Sequence, residues 1–320
     1  MSILVTGGAG FIGSHLIEML LKAGSTERVV LLDNFDDSYD PALKRANAEI
    51  VARDPRVTLA EFSMLEAANV HKLVTDCRVR HIVHLGGRAG VRGSFLQPRQ
   101  YQRDNVSGAL SLLEAARDVQ LDRFVLVSSS TVYGADAAVP FAEDAPLGRP
   151  LSPYGVTKRA AELLGERYRQ EHGVPVVRLR PFSVYGTRMR PDLAMRAFAE
   201  QILAGKPLTL FGDGTIRRDF THVSDICRGI IASLTAADVV GQAINLGHQE
   251  PVAIGRLIEL LEQELGFVAQ IDRKGGFAGD MPLTCADLGK AQRLLGYEPR
   301  VSLATGVRDF AAWLRDAATR

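Results

Sequence analysis

Residues 2–20 read Ser2-Ile3-Leu4-Val5-Thr6-Gly7-Gly8-Ala9-Gly10-Phe11-Ile12-Gly13-Ser14-His15-Leu16-Ile17-Glu18-Met19-Leu20. A short apolar run, Ile3–Val5, meets glycines at 7, 10 and 13 and then an amphipathic stretch. The order is strand, tight turn, helix. Gly7 permits the turn, Gly10 lets backbone approach a phosphate closely, and Gly13 lets helix pack on strand. The helix opening at Phe11 and Ile12 offers unpaired N–H groups and a positive dipole end, which suit a pyrophosphate. Asp33 ends the next apolar run, about 20 residues after Gly13, where a carboxylate binds the adenosine ribose and repels a 2′-phosphate. NAD is therefore the expected cofactor, with Asn34 and Phe35 beside the adenosine. The alternative is a purely structural turn with a capping Asp33.

Outward from this unit the same texture repeats. Further apolar runs lie at Val29–Leu32, Val57–Phe62, His81–Leu85, Phe124–Val127, Val176–Leu179 and Ala243–Leu246. Continuous rather than alternating hydrophobicity predicts strands buried on both faces, as in a parallel sheet. Helical patterns separate them at Ser14–Lys22, Ala67–Asp76, Val106–Val119 and Tyr154–His172. This alternation predicts an α/β fold, a Rossmann-type doubly wound parallel sheet. After Arg180-Pro181, Gly, Pro and Arg become frequent, and helices are predicted at Leu193–Ala204, Ser224–Leu234, Ile254–Leu265, Leu288–Leu295 and Leu303–Leu314. The expected division is an NAD-binding domain, 1–179, and a smaller C-terminal α/β substrate lobe, 180–320, with Ala243–Leu246 returning to the first.

The 320-residue chain carries 38 Lys plus Arg against 37 Asp plus Glu, a net charge of +1. That balance gives no reason to expect nucleic acid or an anionic membrane as partner. Cys77, Cys227 and Cys285 are scattered without CxxC spacing, so neither a disulfide framework nor a zinc site is expected. The seven histidines, His15, His71, His81, His84, His172, His222 and His248, contain no HExxH and predict no metal site. With no signal-like segment and no membrane-spanning apolar run, a cytoplasmic location is expected.

Phe124–Val127 runs into Ser128-Ser129-Ser130-Thr131-Val132-Tyr133-Gly134, and open α/β sheets bind ligands beyond the carboxyl ends of their strands. Downstream, Pro153 precedes Tyr154-Gly155-Val156-Thr157-Lys158, which places Tyr154 and Lys158 on one helical face. A free phenol, with a pKa near ~10, is a poor base at neutral pH. A nearby ammonium and a positive nicotinamide ring would favour its phenolate, and a strand-end serine can bond the same substrate hydroxyl. The alternative for a lone Tyr/Lys pair at this spacing is an ordinary surface pair.

Together these residues resemble the extended short-chain dehydrogenase/reductase family, in particular its nucleotide-sugar epimerases. The resemblance also covers His84-Leu85-Gly86-Gly87, Asn105-Val106-Ser107-Gly108, Arg180–Gly186 and Arg218-Asp219-Phe220-Thr221-His222-Val223. It implies that Tyr154 is the base, Ser129 assists it and Lys158 holds the nicotinamide ribose. It also implies cofactor contacts from Met64, Leu65, Leu85, Gly86, Gly87, Arg88, Asn105, Ser128 and Pro181. The implied cycle oxidises C4 of the sugar, turns the 4-keto intermediate in the pocket and returns the hydride to its other face. Thr131 stands where family dehydratases and decarboxylases carry an acid, which favours simple epimerisation.

Phe182-Ser183-Val184-Tyr185-Gly186-Thr187-Arg188-Met189-Arg190-Pro191-Asp192 and Arg88-Ala89-Gly90-Val91-Arg92 look like uronic-acid 4-epimerases. The likeness implies that Arg190 and Ser183, with Ser130 and Thr131, hold a sugar carboxylate, with Gly90, Val91 and Arg92 nearby. The expected substrate is UDP-glucuronate, giving UDP-galacturonate; UDP-glucose or UDP-N-acetylglucosamine is the alternative, and a non-catalytic NAD-binding regulator a more distant one. Arg190 could instead anchor its loop. Arg218 matches the family arginine on the nucleotide diphosphate, with Leu210, Phe211 and Asp280 around it; the alternative is an ion pair with Asp219 or Asp225. Two departures stand out. Phe62-Ser63-Met64 lacks the aspartate that often binds adenine, and Phe277-Ala278-Gly279-Asp280 lacks the arginine of glucose-type members. Apolar residues on more than one face of Val106–Val119 and Tyr154–His172 suit a four-helix homodimer interface, which the resemblance also implies; the alternative is that both faces are covered within one chain.

Overall fold

In the computed structural model, which describes residues 2–24, 28–277 and 279–318, the apolar runs become strands of one sheet. These are β1 (Ser2–Thr6), β2 (Arg28–Leu32), β3 (Val57–Ala60), β4 (His81–His84), β5 (Arg123–Val127) and β6 (Val176–Pro181). Six strands follow in the second half: β7 (Ser183–Tyr185), β8 (Leu208–Phe211), β9 (Arg217–His222), β10 (Ala243–Leu246), β11 (Pro251–Ala253) and β12 (Ile271–Lys274). The main sheet has seven parallel strands in the order β10-β6-β5-β4-β1-β2-β3. Small sheets β11-β9-β7 and β12-β8 build the rest.

Alternation of side chains explains why the strands read as continuous apolar runs. Ile3 and Val5 of β1 enter one core layer and Leu4 the other, all fully buried. Each such side chain contributes about 1.5–3 kcal/mol of apolar burial. β3, one of the two edge strands, departs from the two-sided expectation, with Leu59 42 % exposed, whereas β10 at the other edge is buried throughout.

The helices at 67–76, 153–172, 194–203, 223–235, 254–265, 289–295 and 303–318 lie where the pattern places them. The expected helix Val106–Val119 starts as a π-turn, Arg103–Ser107, and continues as α-helix Gly108–Arg117. Pro41–Ala52 was not read as a helix; its alanine-rich face gives a weak period, and Asp40 caps it by accepting the Ala42 N–H at 2.9 Å. Two further short helices are Val91–Leu96, whose first residue lines the cleft described below, and Pro98–Gln102.

β1 is central, and the strand order reverses between β1 and β4. That reversal leaves a crevice beyond their carboxyl ends. β10 pairs with β6, and the helix Val223–Thr235 packs on the helix Phe11–Lys22, so the second half of the chain returns twice to the main sheet.

Candidate active site

The turn after β1 is held by backbone. Gly7 has φ +66° and donates its N–H to the Leu32 carbonyl at 2.8 Å, and the Gly10 N–H reaches the Gly7 carbonyl at 3.0 Å. A Cβ on Gly7 would stand 2.9 Å from the Gly86 nitrogen, and one on Gly13 only 2.3 Å from the Gly7 carbonyl oxygen. The helix Phe11–Lys22 has no side-chain N-cap, which leaves the N–H groups of Phe11, Ile12 and Gly13 for a ligand. Asp33 is buried at the end of β2. Its carboxylate accepts from the Phe35 N–H at 2.9 Å and the Ala9 N–H at 3.2 Å, while burial raises its pKa. The cradle therefore has the donors, the acid and the close approach that a dinucleotide requires.

These groups open into a cleft of about 440 Å³. All the expected cofactor residues line it except Asn105: Gly7, Gly10, Phe11, Ile12, Gly13, Asp33, Asn34, Met64, Leu65, Leu85, Gly86, Gly87, Arg88, Ser128, Tyr154, Lys158 and Pro181. So do Gly90, Val91, Ser129, Ser130, Thr131, Ser183 and Arg190. Asn105 lies behind the wall. Its Oδ1 accepts from the Arg88 N–H at 2.7 Å and its amide donates to the Arg88 carbonyl and to Thr157 Oγ1, so it clasps the loop that follows β4. Phe35 is also displaced from the expected adenosine contact. It is buried in the core, with the Arg45 guanidinium 4.3 Å above its ring.

Ser152 caps the helix Pro153–His172 by accepting the Gly155 N–H at 3.1 Å, which sets Tyr154 in its first turn. Tyr154 is 9 % exposed and Lys158 8 %, and Lys158 Nζ donates to the Val127 carbonyl at 2.9 Å. Burial raises the Tyr154 pKa, opposed by a hydrogen bond from Ser129 and by the charge of Arg190. Arg190 is thus a cation near the phenol in addition to Lys158, which lies one helical turn on. Burial lowers Lys158 to about 8, and Glu162 one turn on opposes that shift. Glu162 is in turn gripped by Arg180 at 2.9 and 2.8 Å, a buried pair that leaves no net charge beneath Lys158.

Arg190 reaches the same cleft. Its Nε donates to Asp192 Oδ1 at 2.9 Å, its Nη2 donates to Asp192 Oδ2 and to the Ala89 carbonyl at 3.0 Å, and its guanidinium carbon lies 5.7 Å from the Tyr39 ring centroid. Tyr39, Asp36, Ser38 and Lys44 line the cleft as well and were missed in the sequence, because no local motif follows Asp33-Asn34.

The remaining expected residues form a separate cluster. The Arg92 guanidinium sits 3.8 Å over the Phe211 ring and 3.6 Å from Asp280, and Arg218 lies 3.5 Å from the other Asp280 oxygen. Neither Asp219 nor Asp225 pairs with Arg218. Asp219 accepts N–H groups of His248, Gln249 and Ala286, and Asp225 those of Arg300 and Val301. Leu210 is 4 % exposed and packs into the core instead of facing a base pocket. Ala278, in the segment noted for its missing arginine, lies outside the described residues. The histidines have local roles, such as His84 Nδ1 at 2.8 Å from Thr6 Oγ1. Among the described residues no three His, Cys, Asp or Glu side chains converge on a metal position.

The profile of the NAD dependent epimerase/dehydratase family matches residues 3–247. A UDP-glucuronate 4-epimerase of Thermodesulfobacterium geofontis is 37 % identical over 314 residues, covering 98 % of this chain and 96 % of the relative. UDP-glucuronate 4-epimerase 4 of Arabidopsis thaliana is 37 % identical over 98 % of this chain and 75 % of its own length. The crystal structure of UDP-glucuronic acid 4-epimerase from Bacillus cereus with UDP-glucuronic acid and NAD superposes with a TM-score of 0.94 at 38 % identity, covering 99 % of this chain and 100 % of that one.

Proposed function

The chain belongs to the NAD dependent epimerase/dehydratase family, and we propose that it interconverts UDP-glucuronate and UDP-galacturonate by inversion at C4. One observation carries the choice of a uronate: Arg190 stands in the cleft beside Tyr154, with hydroxyls of Ser130, Thr131 and Ser183 lining the same space.

The N–H groups of Phe11, Ile12 and Gly13 would hold the NAD pyrophosphate, Asp33 the adenosine ribose and Lys158 the nicotinamide ribose. Bound there, NAD would supply reversible hydride acceptance at C4 and would be regenerated in each cycle. Tyr154, as phenolate, accepts the proton of the 4-hydroxyl, and Ser129 hydrogen-bonds the same oxygen. The C4 alcohol becomes a ketone, its proton held on Tyr154. After the sugar turns, Tyr154 gives the proton back to O4 as the C4–H bond re-forms on the other face. The 4-keto uronate is a β-keto acid. Arg190 and the nearby hydroxyls hold its carboxylate out of the alignment that releases carbon dioxide. Arg218 and Arg92, bridged by Asp280, take the UDP diphosphate.

Val156 and Leu163, 53 % and 57 % exposed on the helix 153–172, are covered by a second copy in a homodimer. Light scattering tests that, a monomer being the contrary result. Among the described residues no helix is long and apolar enough to cross a membrane, and a cytoplasmic location fits the three free cysteines.

The function is tested by incubating purified protein separately with UDP-glucuronate, UDP-glucose and UDP-N-acetylglucosamine. UDP-galacturonate is expected from the first. Its absence, or preferential inversion of a neutral sugar, overturns the reading.

A further inference from the structure

The Arg190 guanidinium has five N–H groups, and three are already taken. Nε and one Nη2 hydrogen go to the two Asp192 oxygens, and the other Nη2 hydrogen goes to the Ala89 carbonyl. The Ala89 oxygen also accepts from the Tyr101 hydroxyl at 3.0 Å, which fixes that carbonyl. Gly90, at φ +112°, closes the same side: a Cβ there would stand 3.8 Å from both Arg190 Nη2 and Asp192 Oδ2. Asp192 is 45 % exposed at its outer side, whereas Arg190 is 16 % exposed. Among the described residues Nη1 has no hydrogen-bond partner, and Arg190 lines the cleft.

We infer that Asp192 is a positioning residue: it occupies the Nε–Nη2 edge of Arg190 and leaves the substrate carboxylate a single nitrogen, Nη1. The inference rests on the uronate reading above. A free guanidinium binds a carboxylate through two parallel N–H···O bonds, which fix the mutual orientation of the two groups. Inversion at C4 cannot use a fixed orientation, because the ring must present first one face and then the other to the same hydride carrier. Contact through one nitrogen keeps the carboxylate attached while the ring pivots. Asp192 also offsets the arginine charge, so the ground-state complex is held less tightly than a bare arginine would hold it. Binding strength that does not distinguish ground state from transition state adds nothing to turnover.

The test uses Asp192→Asn, which keeps the shape, and Asp192→Ala. KM for UDP-glucuronate is expected to fall about threefold or more while kcat falls about tenfold, the pattern of a substrate locked in one pose. Calorimetry in a Tyr154→Phe background, with and without Asp192→Ala, reads binding without turnover. UDP-glucuronate is expected to bind about threefold or more tightly without Asp192, and UDP-glucose to change less than about twofold. Weaker or unchanged UDP-glucuronate binding overturns the assignment, since an aspartate that merely pins its loop would loosen the site when removed. Tighter binding in a protein that never forms UDP-galacturonate overturns the substrate reading and leaves Asp192 as assigned.

Discussion

The pyrophosphate turn lines the cleft and the segment 186–192 reaches it through Arg190, and they are made of different materials. The turn is mostly backbone on backbone, Gly7 on Leu32 and Gly10 on Gly7, with the Ala9 N–H on the Asp33 carboxylate. The segment is held by arginines, with Arg188 on Glu18 and His15, and Arg190 on Asp192 and the Ala89 carbonyl. A backbone site has no room to adjust, so a single methyl group destroys it. A side-chain site can lose one contact and keep its shape, so its failures are graded and chemical.

The largest effect expected from this contrast is at Gly13. A Cβ there meets the Gly7 carbonyl oxygen at 2.3 Å, and that oxygen belongs to rigid backbone. Gly13→Ala should cost on the order of 3 kcal/mol in urea unfolding and reduce NAD affinity about a hundredfold or more, because the donors of the helix start move apart. Wild-type NAD binding in that variant would show that the turn is more pliant than its packing implies. Next comes Tyr154→Phe, which removes one oxygen and no packing. Turnover should fall about 10²–10⁴-fold with NAD binding by fluorescence titration unchanged, and retained activity would break the acid–base assignment.

The same contrast explains what was legible beforehand. Gly7, Gly10, Gly13 and Asp33 are close in sequence and each has a backbone reason to be there, so the cradle could be read directly. Six of the seven strands of the sheet were legible because two-sided burial leaves each a continuous apolar run; β3 is half-exposed and carries only a short one. Tyr154 and Lys158 share a helix turn, and the helix period brings them together. Asn105 lies outside the cleft lining because its side chain holds the Arg88 backbone 17 residues away, which no local pattern shows. The Arg92–Asp280–Arg218 cluster joins three segments that no local period connects. Arg190 was noticed from a family likeness, yet its hold on Asp192 and Ala89 depends on tertiary placement of two loops.

Within the side-chain half, Arg218→Ala sharpens the graded behaviour. Arg218 also donates to the Met281 carbonyl at 2.6 Å, and Arg92 still faces Asp280 when it is gone. KM for the nucleotide sugar should rise about 10- to 30-fold with kcat within about threefold, the signature of binding shared by ground and transition states. A collapse of kcat at unchanged KM would place Arg218 in the chemistry instead.

The two halves meet at His15, on the helix that starts at the pyrophosphate turn. In the tautomer with its proton on Nε2, His15 donates to the Thr187 carbonyl at 2.9 Å and its Nδ1 accepts from Arg188 Nη2 at 2.6 Å. A protonated imidazole could not accept there and would face the guanidinium as a like charge. Burial, then Arg188, lowers the His15 pKa from 6.5 to about 4. Between those values the unfolded chain binds a proton that the folded protein refuses, so stability falls as pH drops from 6.5 towards 4. His84, buried and lowered to about 3, adds a similar slope that no change at His15 removes. His15→Gln keeps a donor for Thr187 and cannot titrate, so its loss of unfolding free energy between about pH 7 and 5 should be smaller than wild type by about 2 kcal/mol. Equal losses would mean that protonated His15 finds another partner, and that the arginine-held segment is joined to the cofactor helix by Arg188 and Glu18 alone.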